Sequence, residues 1–137
     1  MDVPQWLREA HSPLDAKLGL QLIEVTARRA VGRYPVEGNT QLFGRWHGGA
    51  TCVAAETVAS LAALAEVGPD GDGVVGVELN ASHLRAVRGD WVEATASAVH
   101  IGRRLATYEV RLDDGVADDP VGVARVTVFL RRGTGLN

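Results

Sequence analysis

A chain of 137 residues with 46% hydrophobic and 23% charged side chains can bury a core as one domain without disulfides or metal. Its formal net charge of −3 gives no basis for a nucleic acid or an anionic membrane as partner. The single cysteine, Cys52, allows neither an internal disulfide nor a zinc spacing, and MDVPQWLREAHSP lacks the basic-then-apolar run of a secretion signal; both suit a cytoplasmic setting.

In chain order, Pro4 to Ala10 predicts a short helix ended near Ser12-Pro13, in a lead-in covering residues 1–16 of a single domain, 1–137. Leu18 to Thr26 alternates and reads as a strand, followed by a second extended run from Arg28 to Val36. Glu37 to Arg45, rich in Gly, Asn, Thr and Gln, is a loop. Gly48 to Val67 is the one long helix, closed by Gly68-Pro69. It is apolar nearly all round, so other structure is expected to wrap it as a buried core helix, not a membrane span. Pro69 to Gly73 is a turn. Four extended segments follow: one in which Val75, Val77, Leu79 and Ala81 share a face, then Trp91 to Ile101, Arg104 to Leu112 and Val121 to Leu130. Asp113 to Pro120 forms an acidic turn, and Gly133 to Asn137 a loose tail. This order predicts an α+β architecture in which an antiparallel sheet curls around one helix.

Glu56 is the sole formal charge between Gly48 and Ala65. An ionised carboxylate in an apolar helix must be paired, protonated or set at a cavity wall, and carboxylates in such surroundings cluster at functional sites. The competing structural reading is an acid at an oligomer interface, bonded to a strand. Ser60 falls one turn on, on the same helical face; its hydroxyl either holds a water beside the carboxylate or bonds back to the Glu56 carbonyl. His47-Gly48-Gly49 opens the helix, where free N–H groups and the positive dipole end suit a developing oxyanion. Asn39-Thr40-Gln41 adds polar groups to the loop just before.

Together, the string from Asn39-Thr40-Gln41 through Leu42-Phe43-Gly44-Arg45-Trp46 to His47-Gly48-Gly49-Ala50, with Ala55-Glu56-Thr57-Val58-Ala59-Ser60, resembles the PaaI-like hotdog-fold acyl-CoA thioesterases. Val75 to His83 and His100-Ile101-Gly102-Arg103-Arg104 extend the likeness to the branch of Arthrobacter-type 4-hydroxybenzoyl-CoA and 1,4-dihydroxy-2-naphthoyl-CoA thioesterases, over roughly residues 18–131. The resemblance implies a hotdog fold of five to six strands around one helix, and hydrolysis of an acyl-CoA with no cofactor beyond the CoA of the substrate. It implies Glu56 as nucleophile or general base, the Gly48 N–H on the thioester carbonyl, Gln41 and His47 orienting thioester and water, and Ser60 positioning that water. It implies CoA contacts at Ser82 and His83 and around Gly102, Arg103 and Arg104. Arg85, Arg88, Arg103 and Arg104 are the cations in those segments that suit phosphates. Sites shared across a homodimer, commonly within a tetramer, are part of the same implication.

Two other functions compete: a non-catalytic acyl-CoA-binding protein, and a hotdog hydratase, which would want an Asp/His pair that does not stand out here. Cys52 in an apolar helix reads as packing. His11 and His100 have no matching partners, Gly71-Asp72-Gly73 lacks the Lys-Ser/Thr of a phosphate loop, and no Gly-x-Ser-x-Gly elbow is present.

Overall fold

The computed structural model describes residues 2–10 and 12–133; His11 and all of the expected tail except Gly133 lie outside them. Two short helices, α1 (Gln5–Arg8) and α2 (Pro13–Leu18), lead into strands β1 (Gln21–Val25) and β2 (Arg29–Pro35). The long helix α3 (Gly48–Val67) follows, then β3 (Val74–His83), β4 (Trp91–Ile101), β5 (Leu105–Asp113) and β6 (Gly122–Leu130).

Ser12-Pro13 begins a helix instead of ending one. The Ser12 Oγ accepts the Asp15 N–H at 3.3 Å, and Pro13 sits in the first turn, where an absent N–H goes unmissed. Gly19, at φ 85°, closes α2, so the strand expected from Leu18 starts only at Gln21.

The six strands form one antiparallel sheet in the order β1-β2-β4-β5-β6-β3, with α3 lying across one face. That is the hotdog arrangement. Small side chains make the close fit possible: Ala54, Ala55, Val58, Ala59, Ala62 and Ala63 of α3 are buried against Tyr34, Val92, Ala94, Ala96, Tyr108, Val110, Leu112, Val126 and Val128. Gly32 of β2 is part of that fit, since a Cβ there would stand 2.8 Å from Leu20 Cδ1 and 3.3 Å from Val58 Cγ1. Burial pushes the Tyr108 hydroxyl up to about 12, with the charge of Glu66 adding to it, so the hydroxyl stays a donor to the Ala27 carbonyl at 2.8 Å.

The helix is not wrapped on most sides. Its alanine-rich flank is covered, but Cys52, Val53, Thr57 and Ser60 are half-buried and Glu56 is exposed. β3 is an edge strand, and a β-bulge between Gly76 and Glu78 breaks the expected alternation. Val74 and Gly76 face α3 before the bulge; Leu79, Ala81 and His83 face it after. Val75 and Val77, expected on the inner face, are 51% and 57% exposed.

A buried ion pair ties the β3–β4 connection to the β5–β6 connection. The Arg85 guanidinium donates to both Asp114 carboxylate oxygens, at 3.0 and 2.8 Å, and the Asp114 side chain has no exposed surface. Hydrogen bonds from Arg85, joined by the Arg88 and Val116 N–H groups, hold the Asp114 carboxyl well below the usual carboxylate range. A depressed folded-state pKa gives stability that is complete above the unfolded carboxylate value of about 4 and fades as pH falls below it. Urea unfolding of Asp114→Asn at pH 7 and pH 3 is therefore expected to show a large loss at pH 7 and a clearly smaller one at pH 3. An equal loss at both would contradict this.

Candidate active site

The loop before α3 is held at its root by Asn39, whose side-chain amide donates to the Leu18 and Pro35 carbonyls at 2.7 and 2.8 Å, while its own carbonyl accepts the His47 N–H at 2.9 Å. Further out, the Gln41 N–H donates to the Arg45 carbonyl at 2.7 Å and Trp46 Nε1 donates to Thr51 Oγ1 at 2.8 Å. The Gln41 side-chain oxygen accepts the Phe43 N–H, leaving its NH2 group without a partner among the described residues. Leu42 and Phe43 stand out at the tip, 98% and 84% exposed.

His47 is the N-cap of α3: its Nδ1 accepts the Gly49 N–H at 2.8 Å. A ring accepting at Nδ1 carries its proton on Nε2 when neutral, which makes the exposed edge a donor. The Gly48 N–H, at the first helical position, has no acceptor among the described residues. It stands where the helix dipole is positive, as an oxyanion requires. The His83 ring packs over Gly48, 3.0 Å from where a Cβ would stand.

Glu56 follows Gly48 by two turns, about 12 Å along the axis. It is not enclosed by apolar neighbours. Its carboxylate is exposed, forms no hydrogen bond or ion pair with the described residues, and lies over Gly76 of β3. Glu56 and Ser60 line a hollow of about 200 Å³ with Asp15, Thr57, Leu61, Leu64 and Val74. Among the described residues the Ser60 hydroxyl bonds neither back to the Glu56 carbonyl nor to any other group, and it lines the hollow where a water or substrate would sit. Asp15, Thr57 and Leu61 also border a larger, mainly apolar hollow of about 570 Å³ with Leu7, Leu20 and Leu22. The Asp15 Oδ1 accepts the Tyr34 and Thr57 hydroxyls, both at 2.8 Å, while its Oδ2 has no partner among the described residues.

The residues expected at the site thus divide into two groups. Glu56 and Ser60 share one hollow; Gln41, Gly48, His83 and Arg85 line another, of about 270 Å³, at the opposite end of β3. One chain does not bring the halves together. Among the expected CoA contacts, Arg85 is committed to Asp114, and Arg88 is exposed with its N–H bonded to Asp114. Ser82 lies on the sheet face turned away from α3, in a cleft with Arg29, Glu109 and Arg125. Arg103 and Arg104 line a hollow of about 360 Å³ with Arg131, beside the start of β3. Gly102 adjoins it, its carbonyl accepting from Arg132 at 3.0 Å. Sequence reasoning missed Asp15, Thr57, Gly76 and Arg131. Ser12-Pro13 taken as a cap and first turn would have revealed α2, and with it Asp15.

Residues 43–118 match the thioesterase superfamily model. A Deinococcus radiodurans protein is 40% identical over 101 residues, which span 74% of this chain and 64% of that protein's length. The 1,4-dihydroxy-2-naphthoyl-CoA hydrolase of Listeria monocytogenes is 33% identical over 120 residues, covering 87% of this chain and 96% of that one. The crystal structure of a mutant of thioesterase PA1618 from Pseudomonas aeruginosa superposes with a TM-score of 0.83 at 31% identity, covering 94% and 93% of the two chains. The hotdog sheet, the family match, the naphthoyl-CoA hydrolase relative and the thioesterase structure together mark the class as thioester hydrolase. The chain belongs to the thioesterase superfamily.

Proposed function

We propose that the chain hydrolyses an aryl or aryl-like acyl-CoA to the free acid and CoA, at sites completed by a second copy of itself. The observation that carries this is the split site: an unengaged carboxylate and an unengaged helix-start amide lie at opposite ends of one edge strand. Glu56 marks the level of Gly76, and Gly48 the level of His83. Two β3 strands paired antiparallel about a two-fold axis at Asn80, with the extra residue of the bulge counted, set Gly76 of one copy opposite His83 of the other. Strand spacing of about 5 Å then places each Glu56 beside the other copy's Gly48. The same pairing covers Val75, Val77 and Leu84, each more than half exposed in the single chain.

In such a site the Gly48 N–H polarises the thioester carbonyl, assisted by the free Gln41 amide and the outward edge of His47. Glu56 either attacks the carbonyl carbon itself or takes a proton from a water, held by the Ser60 hydroxyl, that attacks it. The tetrahedral oxyanion collapses with loss of the CoA thiolate. The water route gives the free acid directly; the other gives an acyl anhydride of Glu56 that water then hydrolyses to the acid. The mainly apolar hollow next to that of Glu56 has the volume and lining for an aromatic acyl group, and the Asp15 Oδ2, without a partner among the described residues, suits a hydroxyl on it. The name of the Listeria relative supports the same substrate class. Arg103, Arg104 and Arg131 supply cations for the CoA phosphates.

Thiol release measured over a panel of aryl and straight-chain CoA esters tests this. Aryl esters are expected to lead in kcat/KM by about tenfold or more, with Asp15→Ala narrowing the preference for hydroxylated rings. Tight binding of every ester without thiol release would instead identify an acyl-CoA-binding protein.

A further inference from the structure

We propose that Gly76 is a positioning residue for the Glu56 carboxylate: the side chain it lacks is the slot in which Oε1 rests against β3. This builds on the hydrolase reading and assigns a role to a residue that reading does not use.

Three observations meet here. A Cβ on Gly76 would overlap Glu56 Oε1 and stand 3.4 Å from Cδ and 3.9 Å from Cγ, so its three nearest atoms all belong to Glu56. Gly76 lies outside the left-handed region and is exposed within its own chain, so neither φ nor packing in that chain calls for glycine there. The bulge between Gly76 and Glu78 decides which residue faces the helix. Had the alternation set by Leu79, Ala81 and His83 continued through the bulge, Val77 and Val75 would face α3, and a valine would stand beside Glu56. The added residue shifts the face by one and presents the only glycine of the strand to the acid.

Glu56 has no hydrogen-bond partner among the described residues to fix its rotamer, so contact with the strand is what limits where the carboxylate can lie. An exposed glutamate otherwise samples several staggered rotamers. A methyl group at residue 76 leaves the sheet intact and turns the flexible end of Glu56 away, because the side chain yields more easily than the strand.

The test compares wild type and Gly76→Ala in three measurements: crystal structures, thermal unfolding, and kcat and KM on whichever CoA ester the wild type hydrolyses. The expected result is a Glu56 carboxylate displaced by about 1 Å or more over an unmoved β3, with the melting temperature little changed. Because misplacement on that scale costs about 10²-fold, kcat is expected to fall by about that factor while KM changes only a few-fold. A carboxylate that stays in place, a kcat within about threefold of wild type, or a loss accounted for by unfolding would overturn the proposal. The crystal structures read the slot even if no CoA ester is turned over, an outcome that would strike the hydrolase reading and not this one.

Discussion

Replacing Glu56 by alanine is expected to lower kcat for the best CoA ester by about 10²–10⁴-fold, with KM changed far less. The carboxylate is exposed and makes no hydrogen bond or ion pair with the described residues, so its removal breaks no contact that supports the fold. The unfolding midpoint is expected to stay within the small range of a surface substitution. This separates the catalytic reading from that of an interface acid: loss of a buried interfacial partner would weaken assembly and stability along with activity. Glu56→Gln, which keeps the shape and removes the charge, is expected to lose nearly as much, because the amide can neither attack the thioester nor take a proton.

Gly48→Pro is expected to cost about 10²–10³-fold in kcat, the usual scale for removing one oxyanion donor. Proline suits this position for two physical reasons. It is the first residue of α3, where proline is tolerated because that N–H has no intrahelical acceptor. His47 before it already has ψ 128°, in the extended region that precedes proline. The added ring carbon does press on His83, 3.0 Å away. Gly48→Ala makes the same contact while keeping the N–H, so the difference in kcat between the two variants isolates the hydrogen bond.

Much of the fold could be read from local pattern. The apolar run closed by Gly68-Pro69 marks α3 to the residue, and the alternation of Val92, Ala94 and Ala96 with Glu93, Thr95 and Ser97 gives the inner and outer faces of β4. The misreadings share a cause, since each turns on something periodicity does not carry. Ser12-Pro13 can end one helix or begin the next, and the choice depends on the hydroxyl accepting the Asp15 N–H. The Gly76–Glu78 bulge reverses the face of β3 with no change in hydrophobic alternation. The all-apolar character of α3 shows that its open flank must be covered, but not that the sheet of the same chain leaves it bare.

For the site, Glu56 and Gly48 stood out through charge in an apolar run and glycine at a helix start. The arginines did not sort themselves: Arg85 is committed to a carboxylate 29 residues away in sequence, whereas Arg103, Arg104 and Arg131 gather only because the β4–β5 turn meets the end of β6. The order of residues along the chain places Glu56 and Gly48 two turns apart on one helix, and gives no sign of the joint action proposed for them across two copies.

Mixing subunits tests that joint action most directly. Glu56→Ala and Gly48→Pro chains, each nearly inactive alone, are co-refolded in equal amounts and assayed for thiol release. A site built from the acid of one copy and the amide of another gives every mixed dimer one intact centre, so about a quarter of wild-type activity is expected to return. No recovery above the two parents, with mixed dimers shown to form, would mean that the acid and the amide do not meet across copies, and the account would fail.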